Sequence, residues 1–177
     1  MKKIVWFVVV LVVATAVLAS VVMAQDNGAG HASATLFDAA GNEVGFARFT
    51  EDATGMLHAN VHVNGISPGL HGIHLHAVGA CTPTFAAAGG HHNPLGRQHG
   101  LENPHGAHAG DLPNLEVNAA GVGRLVGTTD RATLSAGQTS LFDADGSAVI
   151  IHASPDDQIT DPTGNSGGRI VCGVITR

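Results

Sequence analysis

Leu57-His58-Ala59-Asn60-Val61-His62-Val63-Asn64 alternates apolar and polar residues without a break. Successive side chains of a β-strand point to opposite faces, so Leu57, Ala59, Val61 and Val63 share a core face and the other four residues face water. Weaker forms of the pattern recur on either side, at residues 32–38, 43–49, 72–78, 115–126, 148–152 and 169–175. Residues 115–126 read as two strands about a turn at Gly121. Clusters of Gly, Pro, Asp and Asn, such as Ala39-Ala40-Gly41-Asn42, separate these runs. No segment after the first 24 residues sustains a 3.6-residue apolar period, so helices are expected only as short turns in loops. The expected fold class is all-β, a sandwich or barrel.

With 177 residues and 44% hydrophobic content, the chain is sized for one well-buried domain. Lys2 and Lys3 precede an apolar run from Ile4 to about Ala24, which ends Val22-Met23-Ala24 before the polar Gln25-Asp26-Asn27-Gly28. Residues 1–24 are expected to be a secretory signal peptide cleaved after Ala24. The run is also long enough to cross a bilayer as an uncleaved anchor. Residues 25–30 read as a flexible lead-in and 31–177 as the folded domain. Either N-terminal reading places that domain outside the cytoplasm: periplasmic, envelope-associated or secreted.

Without residues 1–24 the chain has six arginines, no lysine and fourteen acidic residues, a net charge of −8. That sign counts against nucleic acid and anionic lipid as partners, and an anionic substrate would need a local positive focus. Cys81 and Cys172 are the only cysteines, and an even count in an exported chain reads as a disulfide. Closing a loop of ninety residues would stabilise the fold by at most about 4–5 kcal/mol.

Residues 79–113 lack alternation and are rich in Gly, Pro, Asn and His. So long a loop in a compact domain is usually functional or disordered. It holds His91, His99, His108 and Asp111, while His74 and His76 leave one face of the strand before it and His152 ends another strand. Imidazole-rich sites suit copper and zinc; four nitrogens favour Cu(II), and three nitrogens with a carboxylate favour tetrahedral Zn(II). His74, His76, His91 and His152 would make the first kind of set, and His91, His99, His108 and Asp111 the second. Sharing His91 completes both, and an imidazole bound at both nitrogens must lose both protons.

Several segments resemble copper/zinc superoxide dismutase of the exported bacterial type. The resemblance spans most of residues 31–177. It is densest in Gly69-Leu70-His71-Gly72-Ile73-His74-Leu75-His76, in Gly90-His91-His92-Asn93-Pro94-Leu95 with Arg97 and His99-Gly100, and in His108-Ala109-Gly110-Asp111-Leu112. It continues through Val149-Ile150-Ile151-His152 and Gly164-Asn165-Ser166-Gly167-Gly168-Arg169-Ile170-Val171-Cys172-Gly173-Val174-Ile175.

The resemblance implies an immunoglobulin-like sandwich or flattened Greek-key barrel with two long functional loops. It implies one copper per chain on His74, His76, His91 and His152, and one zinc on His91, His99, His108 and Asp111. The implied reaction converts superoxide to oxygen and hydrogen peroxide. Copper cycles between two oxidation states, and the His91 bridge opens on reduction to take up a proton that later goes to peroxide. Arg169 matches the arginine that attracts the anion, and Asp156 an acid that links a copper-side to a zinc-side histidine. Pro162 stands where a lysine usually assists steering, and the loop from His152 to Arg169 is short, which leaves more of the guidance to Arg169.

Plainer readings apply to other residues. His31, His58, His62, His92 and His105 are expected at the surface, His71 as a loop brace. His58 and His62 share a strand face but lie roughly 13 Å apart, too far to hold one ion. Arg169 could instead form a structural ion pair with Asp156 or Asp157. A metal store or carrier of the same fold is the rival to an enzyme, but it would need no anion-guiding arginine. A purely structural domain would leave too many polar residues without a role. A homodimer is possible, and the sequence does not name the donor of copper.

Overall fold

The computed structural model describes residues 30–177. The signal or anchor expected over 1–24, and all of the lead-in but Gly30, lie outside the described residues. Nine strands follow in order: β1 (Gly30–Asp38), β2 (Glu43–Glu51), β3 (Leu57–Asn64), β4 (Gly69–His71), β5 (Ile73–His76), β6 (Leu115–Val117), β7 (Val122–Thr129), β8 (Ala148–His152) and β9 (Arg169–Val174). The only helix among the described residues is a 3-10 turn at Phe85–Ala88.

The nine strands pair antiparallel throughout, in the order β4-β6-β7-β3-β2-β1-β9-β8-β5. β4 and β5 are consecutive in sequence, separated by Gly72 alone, yet they occupy the two ends of this order. The ribbon therefore curls until its ends adjoin, giving a nearly closed barrel. Gly72 stitches the seam to β8 and its following loop: its N–H donates to Ser154 O (2.9 Å) and its carbonyl accepts from His152 N (2.8 Å).

The alternation read in β3 holds residue for residue, with Leu57, Ala59, Val61 and Val63 fully or nearly buried. Ala32, Ala34 and Leu36 of β1 and Ala47 and Phe49 of β2 join them inside the barrel. Each large side chain so placed contributes roughly 1.5–3 kcal/mol relative to exposure. β8 is buried along its whole length because it is covered twice. Val149 and Ile151 enter the main core, while Ala148 and Ile150 pack outward with Cys172 and Ala88, beneath Cys81 and Phe85.

The strands differ from expectation in three places. Residues 72–78 form a strand only over Ile73–His76, because the following loop folds back over that end. The three-residue β4 was not foreseen. β7 runs on to Thr129, and residues 130–147 make a third long connection besides 77–114 and 153–168. Gly121 is the turn between β6 and β7, at φ +77°.

Candidate metal centre

β5 sends Ile73 and Leu75 into the core, so His74 and His76 leave by the outer face. That face is dry because the 77–114 loop lies against it. Leu75 N donates to Gly110 O (2.9 Å), His92 N to Leu75 O (2.8 Å) and Ala77 N to Gly90 O (2.9 Å). A Cβ on Gly110 would collide with the Leu75 carbonyl, so only glycine allows this approach. The contact sets His91 beside His76 and Asp111 beside His74 as isolated β-bridges. His152 closes β8, where a shift of register after Ile151 re-aims its side chain.

The four imidazoles of His74, His76, His91 and His152 form one cluster. Ring centroids lie 3.9 Å apart for His74 and His91, 5.0 Å for His76 and His91, and 4.9 Å for His74 and His152. In each ring one nitrogen is engaged. His76 Nδ1 meets Gly89 O at 2.9 Å, His152 Nδ1 meets Gly167 O at 3.1 Å, and His74 Nε2 meets Asp156 Oδ2 at 2.7 Å. His91 Nδ1 lies 3.0 Å from Asp111 Oδ1. The other nitrogens, His74 Nδ1, His76 Nε2, His91 Nε2 and His152 Nε2, are buried and have no hydrogen-bond partner among the described residues. A neutral imidazole whose N–H is committed offers its second nitrogen as a lone pair. Burial keeps the rings neutral, with His76 pushed down to about 2, His74 to about 3 and His152 to about 4. Four neutral, inward-facing nitrogens fit a copper or zinc ion.

The second cluster converges on Asp111 Oδ1, which lies 3.0 Å from His91 Nδ1, 3.0 Å from His99 Nδ1 and 3.4 Å from His108 Nδ1. Donor proximity alone groups His74 with His91, His99 and Asp111. His74 Nε2 is held by Asp156, while His108 Nδ1 approaches the same Asp111 oxygen from another side. Three nitrogens and a carboxylate fit tetrahedral zinc. Burial works against the charge on Asp111, yet the three imidazoles around it hold its carboxyl far below the usual range. Burial also opposes charge on His99, but the Asp111 and Asp156 carboxylates outweigh it and raise this ring to about 9.

Asp156 ties the clusters together, with Oδ2 on His74 and Oδ1 3.0 Å from His99 Nε2. Its backbone is held from both sides by Asn114, whose Nδ2 donates to Asp156 O and whose Oδ1 accepts from Asp156 N, each at 2.8 Å. Gly164, at φ +59°, packs so close that a Cβ there would strike the Asp156 carboxylate. Arg169 begins β9, opposite His152. Its Nη1 and Nη2 donate to Phe85 O and Gly89 O, both at 2.6 Å, and it forms no ion pair with Asp156 or Asp157. Its charge reaches the first cluster, lowering the basicity of His76 and His152. The expected disulfide, Cys81–Cys172, fastens the same segment to β9.

Residues 43–175 match the family profile of the copper/zinc superoxide dismutases (SODC). The chain belongs to this family. "Superoxide dismutase-like protein YojM" of Bacillus subtilis (strain 168) is 44% identical over 138 residues, 76% of this chain and 70% of that protein. "Superoxide dismutase (Cu-Zn) 2" of Aquifex aeolicus (strain VF5) is 42% identical over 147 residues, 81% of this chain and 85% of the other. The crystal structure of a SOD-like protein from Bacillus subtilis superposes with a TM-score of 0.76 at 42% identity, covering 80% of this chain and 96% of that one. As a superoxide dismutase the protein acts on superoxide and uses copper and zinc.

The six remaining histidines of this superoxide dismutase divide by burial. His31, His58 and His105 are exposed and His62 is half-buried. His71 is buried and braces the seam, its Nδ1 2.7 Å from His152 O and its Nε2 2.8 Å from Ser67 O. His92 is buried too, against the surface expectation, because its main chain pairs with Leu75 and carries the ring inward to Thr139 O, 3.3 Å away. Asn114 escaped the sequence reading, and Gly110 entered it only as part of the His108–Leu112 segment, since neither carries metal chemistry and each acts through a backbone contact.

Proposed function

We propose that the chain dismutes superoxide outside the cytoplasm, with copper on His74, His76, His91 and His152, zinc on His91, His99, His108 and Asp111, and His91 as the bridge. The observation that carries this reading is the environment of His91. Its Nε2 is unpartnered within the four-imidazole cluster, and its Nδ1 lies 3.0 Å from Asp111 Oδ1 in the other.

Copper, when bound, supplies one-electron exchange with superoxide, and zinc supplies a fixed positive charge. Two superoxide anions and two protons give one O2 and one H2O2, one anion being oxidised and the other reduced. The protein's part is to admit the anion, hold the ligands and deliver a proton. Arg169 provides the positive focus that a chain of net charge −8 over residues 25–177 needs for an anionic substrate. Both of its NH2 groups are anchored on backbone carbonyls, so its charge is fixed in place. His91 holds at Nε2 the proton that the departing peroxide takes, while Nδ1 stays anchored on the zinc side. Asp156 keeps His74 and His99 in the tautomers their roles need, accepting from Nε2 of each.

The bridge is tested by loading Cu(II) into the first site and Co(II) into the zinc site of the purified protein. A shared imidazolate couples the two spins, so the copper electron-paramagnetic-resonance signal should collapse when cobalt enters. An undiminished signal with both metals bound would refute the bridge. His152→Ala should abolish dismutation while leaving cobalt uptake intact. Export is tested by cell fractionation and N-terminal sequencing of the native protein, which should begin at Gln25 if the signal is cleaved after Ala24.

A further inference from the structure

The residues 130–147, which the sequence reading left without a role, reach the second cluster through one side chain. Arg131 lies two positions beyond the end of β7. Its Nε donates to His108 O (3.3 Å) and its Nη2 to Asp111 O (3.1 Å). These are the main-chain carbonyls of two residues that, on the reading above, hold zinc through their side chains. Its one acidic neighbour within 4 Å among the described residues is the exposed Asp130, with Oδ1 3.9 Å from Nη1. Bonding to the two carbonyls is therefore its principal engagement.

The same short turn is closed from within. Asp111 Oδ2 accepts from His108 N at 2.9 Å, and Asp111 N donates to His108 O at 3.3 Å. The guanidinium spans both ends of this turn with a planar fork, which fixes the spacing of the two carbonyls as a flexible point charge would not. The fork's own base is rigid. Ala132 and Leu134 are buried in the core. Glu51, itself 5% exposed, accepts at Oε2 from Leu134 N and Ser135 N, both at 2.6 Å. Farther along the connection, Thr139 O faces the ring of His92, the neighbour of His91. The connection thus touches the 77–114 loop beside three of the four proposed zinc ligands.

We infer that Arg131 is a positioning residue for the zinc site, holding His108 and Asp111 at the separation zinc requires, with Glu51 and the 130–141 segment as its mount. The inference rests on the zinc assignment proposed above. The test uses the full protein loaded with copper and zinc, and compares wild type with Arg131→Ala, Arg131→Lys and Arg124→Ala. Arg124 is exposed on the outer face of β7 and controls for loss of one positive charge. The readouts are the half-time of zinc release to excess chelator and the visible spectrum of Co(II) placed in the zinc site.

Arg131→Ala should release zinc at least about ten-fold faster, the usual consequence of losing a partner behind a metal ligand. Its cobalt bands should shift. Arg131→Lys should recover part of the retention, since an ammonium can serve one carbonyl but not a fixed pair, and Arg124→Ala should match wild type. If Arg131→Ala fails to fold, Arg131→Lys decides alone, and wild-type zinc retention with an unchanged cobalt spectrum would overturn the inference. Arg131→Ala holding zinc within about two-fold of wild type, or Arg124→Ala losing it as fast, would overturn it too. If wild type itself takes up no tetrahedral cobalt, the zinc assignment fails first and the role of Arg131 falls with it.

Discussion

One carboxylate, Asp156, decides the relation between the two clusters. It is buried and contacts a ring of each, so replacing it perturbs both sites from a residue that need touch neither metal. Asp156→Asn keeps the shape but leaves one accepting oxygen and adds a donor that faces an imidazole N–H. Metal affinity should fall about 10–100-fold, read by chelator competition, with the zinc site hit harder because His99 also loses a carboxylate that raises its basicity. Unchanged affinity at both sites would remove Asp156 from the scheme. The imidazoles also dictate how the metal-free protein responds to pH. His74, His76, His91 and His152 have folded values below the ordinary 6.5, so between 6.5 and about 4 the unfolded chain takes up protons that the folded chain refuses. Stability falls as pH drops through that window. His99, raised to about 9, stabilises fully below 6.5 and loses that contribution as pH climbs from 6.5 to 9. Metal-free protein should therefore show its highest Tm near pH 6.5, with the steeper decline on the acid side; a Tm that rises from pH 6.5 to 5 would contradict this.

At the scale of elements, the site is the product of one unusual docking, a loop laid along the outer face of β5. Gly110 permits it, and Gly110→Ala forces a methyl group against Leu75 O, which is backbone and cannot step aside. Overpacking of this kind costs about 1–3 kcal/mol. A lower Tm together with faster zinc loss is the expected pair of effects, and a thermal scan with a zinc-release assay checks both. Much of this arrangement was legible in the sequence. The period-2 pattern of β3 announced the sheet, and the histidine spacing singled out residues that the fold brings together, because metal binding admits few residue types. The parts that were not legible share one physical cause: order supplied from far along the chain. β4 is three residues long and carries too little pattern to see, being defined by its pairing with β6. The 130–147 connection contains Leu134 and Leu141 like a broken strand, but it is shaped by Glu51, 83 residues before Leu134. His92 looked like a surface neighbour of a ligand, yet its main-chain bond to Leu75 carries it inward.

For the whole molecule, charge sets the approach of substrate. Residues 25–177 carry −8, so at long range a superoxide anion is repelled; on the reading proposed above Arg169, whose charge reaches His76 and His152, supplies the local attraction. Salt screens both effects, but not equally. The Debye length is about 8 Å at 0.15 M salt, so repulsion from acids spread over the barrel is already largely screened at ordinary ionic strength. What remains to be screened is the short-range attraction at the mouth of the site. Diffusional steering is general among superoxide dismutases; in this chain Arg169 is fixed by two carbonyls, and the resemblance implies that it steers without the lysine whose place Pro162 takes. Above about 0.1 M salt, kcat/KM for superoxide should therefore fall as salt is added, and Arg169→Gln should both lower the rate and flatten that dependence. Below about 0.02 M the Debye length exceeds 20 Å and the distributed acids act together, so the wild-type rate should turn over and decline again at very low salt. A stopped-flow series across these concentrations checks both limbs. A wild-type rate that climbs steadily with salt would mean that the overall negative charge, and not Arg169, governs the encounter.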